Sequence, residues 1–204
     1  VLYETSNQEF FQKDNYDTHD WDEIRLTNMR HIRDKGLSAT REFNCDYYFT
    51  SDVDNFLIPE TLSELVAVNQ QAIAPMLRYA VDENEQCDNW MAGDLYSNFS
   101  VNLNEFLDIT WEDEYYSVLF QHIIGIIPVR LIHATYLIRR DIVNRISYQS
   151  FMHTWDYIGF AANLRLLNVM QYIDNRKIYG CMTLAENVDA CKNYMNELMS
   201  GNNN

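Results

Sequence analysis

Two carboxylates separated by one residue, Asp52 and Asp54, close a short aromatic run, Tyr47-Tyr48-Phe49-Thr50. A run of that composition suits a pleated, half-buried surface, so the stretch reads as a strand ending in an acidic rim. If the backbone stays extended through the rim, both side chains leave one face with Cα atoms about 6.6 Å apart. Such a pair repels itself unless a cation sits between the two groups. Hard oxygen donors favour Mg2+ or Mn2+, ions that keep positions open for phosphate oxygens. A D-x-D by itself also arises by chance in acidic chains, where it marks a solvated turn. An EF-hand loop is excluded: it needs an oxygen ligand at its fifth position and Gly at its sixth, where Phe56 and Leu57 stand.

The elements around the rim follow from periodicity. Pro59-Glu60-Thr61 opens a helix through Leu62, Leu65 and Val66, and Ala72 to Leu77 reads as a further strand. Together they make a βαβ unit, and in open α/β sheets ligands bind beyond the carboxyl ends of the strands, where Asp52 and Asp54 fall. Upstream, Asp20 caps a helix whose apolar stripe is Trp21, Ile24, Met29, Ile32, Leu37 and Phe43. Ile123 to Ile138 is the most apolar stretch and reads as strand; His133 inside it is the preferred site histidine, against a hydrogen-bonded core imidazole. Asp156 opens a helix through Ile158, Phe160, Ala161, Leu164 and Leu167, a place where the helix dipole already favours an acid. Val169 to Ile173 reads as a strand and Leu184 to Met199 as an amphipathic helix, with a polar tail at 201–204.

The chain has 204 residues, 47% of them hydrophobic, which suffices for one cored domain over 1–204, with a short strand and loop leading in over 1–18. Fifteen basic against 30 acidic residues leave a net charge of −15, which argues against nucleic acid or an anionic membrane as partner. No run reaches the roughly 20 apolar residues that span a bilayer. Cys45, Cys87, Cys181 and Cys191 are too few and scattered for a disulfide framework and read as mostly buried thiols. Asn98-Phe99-Ser100 is a glycosylation sequon, which matters only if the chain is secreted.

Cys45 to Leu57 followed by Ala72 to Leu77 resembles glycosyltransferase family 25, the collagen β-galactosyltransferases and their adhesion-molecule relatives, where "ADY-x-x-F-x-DTDN-x-L" precedes "VAPML". The resemblance continues in order from residue 19 to residue 190. His19 to Arg25 keeps the Trp and Arg of "H-W-T-x-x-R", so that Arg25 either faces a phosphate or pairs with Asp22 or Glu23 on the surface. Asn89-Trp90-Met91-Ala92-Gly93 is similar to "S-N-F-W-C-G", and Pro128 to Leu137 to "VP-x-VHSTFL", which lays His133 and Thr135 on the family's His and Thr. Thr154-Trp155-Asp156 keeps part of "Y-T-W-P-F-D-D", lacking Pro-Phe-Asp, and Asn175 to Met182 is similar to "N-x-x-R-Y-G-Y-M".

The resemblance implies an α/β domain of GT-A type, with a mostly parallel central sheet and helices on both faces, whose first nucleotide-binding unit partly precedes Val1. It implies inverting transfer of a hexose, galactose in the animal enzymes, from a UDP-sugar to a hydroxyl such as hydroxylysine of a collagen-like protein, with Mn2+ or Mg2+. Asp52 and Asp54 would hold the metal, and Asp156 would act as the base. Asn55, Asn89, Trp90, Gly93, His133 and Trp155 would contact sugar nucleotide or acceptor. The compartment implied is the lumen of the endoplasmic reticulum, or the cytoplasm for a microbial or viral chain. Two other readings stay open: a non-catalytic binding or adhesion module on the same fold, and an unrelated acidic, metal-independent interaction domain.

Overall fold

The structure, a computed structural model, describes residues 23–79, 97–103, 109–110, 113–149, 155–183 and 188–200. In chain order these form α1 (Glu23–Glu42), β1 (Tyr47–Ser51), β2 (Asn55–Leu57), α2 (Thr61–Val68), β3 (Ala72–Pro75), β4 (Leu77–Tyr79), β5 (Phe99–Ser100), β6 (Asn102–Leu103), β7 (Ile109–Thr110) and α3 (Asp113–Leu119). There follow β8 (Ile126–Val129), β9 (Leu131–Ile132), β10 (Thr135–Arg139), α4 (Arg140–Val143), α5 (Asp156–Leu166), β11 (Gln171–Asp174), β12 (Gly180–Met182) and α6 (Val188–Ser200).

The main sheet has the order β1-β10-β3-β11-β8, and it is mixed rather than mostly parallel. β10 enters antiparallel between β1 and β3, with Tyr48 opposite Ile138 and Leu137 opposite Ile73. Only β3 and β11 are parallel neighbours in it, and β8 closes the far edge antiparallel to β11. The expected βαβ unit survives as a direction: β1 and β3 run the same way with α2 between them in sequence, but β10 separates them. Periodicity could not show this, because the strand that intervenes comes from some 80 residues downstream.

Strand alternation sends the two sets of side chains to opposite faces. Tyr48, Ala72, Ala74, Tyr136, Ile138 and Ile173 pack with Leu37 of α1, Tyr115 and Leu119 of α3, Ile142 of α4 and Phe160 of α5. On the other face Ile73 and Leu137 pack with Leu65 of α2, flanked by Tyr47, Phe49 and Tyr172. Helices thus cover both faces. A smaller sheet, β2-β12-β4, stands beside the first and is roofed by α6.

Four local readings change. The buried face of α1 is Leu26, Asn28, Arg30, Arg33, Leu37 and Thr40; of the apolar stripe Leu37 alone is buried among the described residues, while Ile24, Ile32 and, just past the helix, Phe43 are exposed. The apolar stretch from Ile123 breaks into β8, β9 and β10. Its second break is a turn in which the Thr135 N–H donates to the His133 carbonyl at 2.6 Å while Ala134 takes φ of 61°. Cys181 and Cys191 are buried as expected but joined in a disulfide, which ties β12 to α6; Cys45 is exposed and free. Asn98 of the sequon is fully buried, its amide donating to the Pro75 carbonyl at 2.8 Å and its oxygen accepting the Leu77 N–H at 3.2 Å, so the folded chain cannot carry a glycan there.

Candidate functional site

The acidic rim is a turn. The Asn55 N–H donates to the Asp52 carbonyl at 3.1 Å, which folds Asp52 to Asn55 back into β2, so the extended geometry expected for the two carboxylates does not hold. Val53, at the tip, is fully exposed. Three contacts hold the turn. The Asp52 N–H donates to the carbonyl of the strained Ala134 at 3.0 Å. The Asn55 amide donates to the Thr135 hydroxyl at 2.7 Å, and Ser51 shares that hydroxyl at 2.9 Å. The Thr183 N–H, just past β12, donates to the Asp54 carbonyl at 3.2 Å.

Facing the turn is a cation that periodicity passed over. Arg33, on the buried face of α1, donates from Nη2 to Asp52 Oδ1 at 2.9 Å and from Nη1 to the Tyr136 hydroxyl at 3.2 Å. Its Nε lies 2.6 Å from Asp156 Oδ2, yet neither atom has a hydrogen-bond partner among the described residues: the contact is an ion pair whose N–H is not aimed at the oxygen. Tyr136 and Tyr148 hydrogen-bond to each other, and the guanidinium sits 5.7 Å from the Tyr148 ring. The Arg33 side chain is 8% exposed, that of Asp156 5%, and that of Asp52 37%.

These surroundings shift the titrating groups. Burial pushes Asp52 up to about 6; Arg33 opposes that rise, while Asp54 and Asp156 add to it. For Arg33, burial works against the charge, but Tyr136, Asp156 and Asp52 more than offset it and leave the guanidinium raised. Burial, with Arg33 in support and a Ser97 backbone contact opposing, pulls His133 down to about 4.

Of the residues singled out in the sequence, Asp52, Asn55 and Asp156 meet around Arg33 and Thr135. His133 and Trp155 both pack on Tyr157, His133 tilted with ring centroids 5.0 Å apart and Trp155 stacked at 5.9 Å. Asn89, Trp90 and Gly93 lie outside the described residues. The string S-N-F of the resembled segment also occurs letter for letter at Ser97-Asn98-Phe99, and that stretch borders the site, since the His133 N–H donates to the Asn98 carbonyl at 2.9 Å. Arg33 itself left one trace in the sequence: Leu26, Arg30, Arg33, Leu37 and Thr40 keep helical spacing if arginine is admitted to the inward face. A cavity of about 670 Å³ beside Tyr47 and Arg139 lies at the opposite end of β1, and Arg139 is already paired with Asp141.

Asp52 and Asp54 fit a hard divalent cation by chemistry. Asp54 has no cation partner among the described residues, and Asp52 gives Oδ1 to Arg33. Among those residues no third His, Cys, Asp or Glu completes a metal-binding group, so other positions of such an ion fall to water or ligand oxygens.

The chain is similar to known proteins over most of its length. Residues 1–200 match the profile of "Glycosyltransferase family 25, N-terminal domain". The chain is 29% identical over 172 residues to procollagen galactosyltransferase 2 of Homo sapiens, covering 80% of this chain and 25% of that protein. It is 30% identical over 168 residues to procollagen galactosyltransferase 1-A of Xenopus laevis, covering 78% and 25%. It is also 27% identical over 172 residues to a human procollagen-lysine,2-oxoglutarate 5-dioxygenase 2, covering 81% and 22%. The chain thus spans about a quarter of the length of these relatives.

Proposed function

The chain belongs to glycosyltransferase family 25, and from that premise we propose that it transfers a hexose, galactose first, from a UDP-sugar to a hydroxyl acceptor such as hydroxylysine of a collagen-like protein. The observation that carries this reading is that Asp52 and Asp156, 104 positions apart in sequence, meet at one guanidinium. In this reading Asp52 serves the diphosphate side and Asp156 the acceptor side.

Asp52 and Asp54 would hold Mn2+ or Mg2+, an ion that would supply positive charge against the departing diphosphate. Asp156 takes the proton of the attacking hydroxyl once the acceptor reaches its Oδ2, which is held 2.6 Å from Arg33 Nε without a hydrogen bond. His133, neutral at physiological pH, and Trp155 form an aromatic wall with Tyr157 against which a sugar face can pack. Thr135 and Asn55 hold the acidic turn. Helices on both faces of the sheet and the acidic turn at the carboxyl end of β1 support a GT-A type assignment. The Cys181–Cys191 disulfide supports an oxidising compartment such as the endoplasmic reticulum lumen.

One observation favours a second reading, a non-catalytic binding module: the Asp156 carboxylate is buried and ion-paired, so it serves as a base only if acceptor binding opens that side. Calorimetry with Mn2+ and UDP-galactose on the wild type and Asp54→Ala, together with a galactose-transfer assay, decides. Metal-dependent UDP binding lost in the variant, with turnover, is the expected result. The same binding without turnover leaves the binding module, and UDP binding indifferent to metal and to the substitution overturns both.

A further inference from the structure

A residue that makes no claim on the sugar organises the acidic site. Three carboxylates border it, Asp52, Asp54 and Asp156, and like charges gathered this closely oppose one another. Arg33 reaches two of them with different nitrogens, Nη2 to Asp52 and Nε to Asp156, while Nη1 is held by Tyr136. That third contact is backed by Tyr148, and Asp34, the next residue on α1, accepts the Tyr148 N–H at 2.7 Å and the Ser147 hydroxyl at 3.0 Å. The guanidinium is therefore fixed from behind and is not a surface arginine that happens to lie near an acid. Its spread of nitrogens is what allows one residue to reach carboxylates from two different elements, Asp52 by a hydrogen bond and Asp156 by an ion pair; a lysine carries the charge but not that span.

We propose that Arg33 is the built-in counter-ion of this site, a positioning residue that keeps Asp52 and Asp156 in register before donor or metal arrives, and that a divalent cation binding at Asp52 and Asp54 does so against its charge. This rests on the reading of Asp52 and Asp54 as the ligands of that cation. Its consequence is a pair of effects of opposite sign. Without the guanidinium charge the cation should bind more tightly, because it becomes the main neutraliser of the carboxylates. Transfer should slow, because Asp156 loses its anchor. A residue that merely supports the fold would weaken both when removed.

The test uses Arg33→Gln and Arg33→Lys with isothermal titration of MnCl2 and, separately, urea unfolding in EDTA. Arg33→Gln should tighten Mn2+ binding roughly tenfold, the scale on which one adjacent charge acts on a carboxylate, while galactose transfer falls. Arg33→Lys should leave Mn2+ affinity within about twofold, since the charge stays, yet should not restore transfer. Mn2+ binding that weakens in the Gln variant overturns the proposal; if that variant does not fold, weakened binding in the Lys variant does so. The unfolding arm needs no metal: adding Asp156→Asn to either Arg33 variant that folds should return part of the lost urea midpoint, by sparing a buried carboxylate that has lost part or all of its partner. Strictly additive losses overturn the anchoring role. Wild-type protein that binds no Mn2+ at all defeats the proposed function instead, and the unfolding arm still decides whether Arg33 anchors Asp156.

Discussion

At the scale of single residues, the site places two titrating groups whose shifts oppose each other. Asp52 has its carboxyl raised to about 6 by burial, above an ordinary 3.8. Between those values the folded chain holds a proton that the unfolded chain has released, so this residue's contribution to stability is full at low pH and falls as pH rises through 6. His133 is lowered to about 4 from 6.5, also by burial. There the unfolded chain holds the extra proton, so its contribution is present above 6.5 and is lost as pH falls toward 4. Asp52→Asn should therefore make unfolding free energy climb more steeply with pH between 4 and 6 than in wild type, and His133→Asn should make it climb less; urea melts across that range give both slopes. Mn2+ affinity in the wild type should rise between pH 5 and 7 as Asp52 deprotonates, read by the same calorimetry. An affinity flat over that interval would remove Asp52 from the metal site.

At the scale of elements, the acidic turn depends on what stands behind it. β2 continues directly from the turn and pairs with β12, Asn55 opposite Met182 and Leu57 opposite Gly180. At Gly180 a Cβ would lie 1.9 Å from the Phe56 carbonyl oxygen, a backbone atom that cannot step aside, so the two strands approach closely only because the side chain is absent. Gly180→Ala should cost at least about 2 kcal/mol, the range of overpacking in a closed interior, measured as a loss in urea unfolding free energy. The disulfide acts on the same pair of strands from the other side: Cys181 is on β12, Cys191 is on α6, and both pack with Met195 against Phe56. Closing a loop of 10 residues is worth about 2 to 3 kcal/mol in the chain-entropy account. Cys181→Ser with Cys191→Ser should lose about that much and loosen α6, visible as faster amide exchange over Val188–Ser200, whereas Cys45→Ser, at an exposed free thiol, should change neither.

At the scale of the whole molecule, a chain of net charge −15 concentrates its acids and must offset them where they crowd. A divalent ion held at the acidic turn of the folded state alone would stabilise the entire domain by mass action. At about 100 times its Kd it adds about 2.7 kcal/mol, which for a domain of this size raises Tm by roughly 5 to 10 °C. Thermal melts with MnCl2 should show that rise in wild type and none in Asp54→Ala, with MgCl2 giving the same sign. Equal melting of both proteins in Mn2+ would separate the acidic turn from metal binding.

The sequence by itself determined what depends on neighbours along the chain. The aromatic strand halting at Asp52, the helix opened by Pro59, the family pattern from Cys45 to Leu57 and the acid at the first turn of α5 are all written in composition and short spacing. Tertiary structure decided what depends on residues far apart. It set β10 between β1 and β3, bent the acidic rim into a turn through Ala134 and Thr135, and joined Cys181 to Cys191. It turned α1 so that an arginine, not the apolar stripe, faces the carboxylates. The reason is energetic: an apolar pattern records how a segment gains by leaving water, but whether a buried charge is tolerated depends on partners that only folding supplies. Arg33 reads as a surface residue until Asp52 and Asp156 arrive beside it.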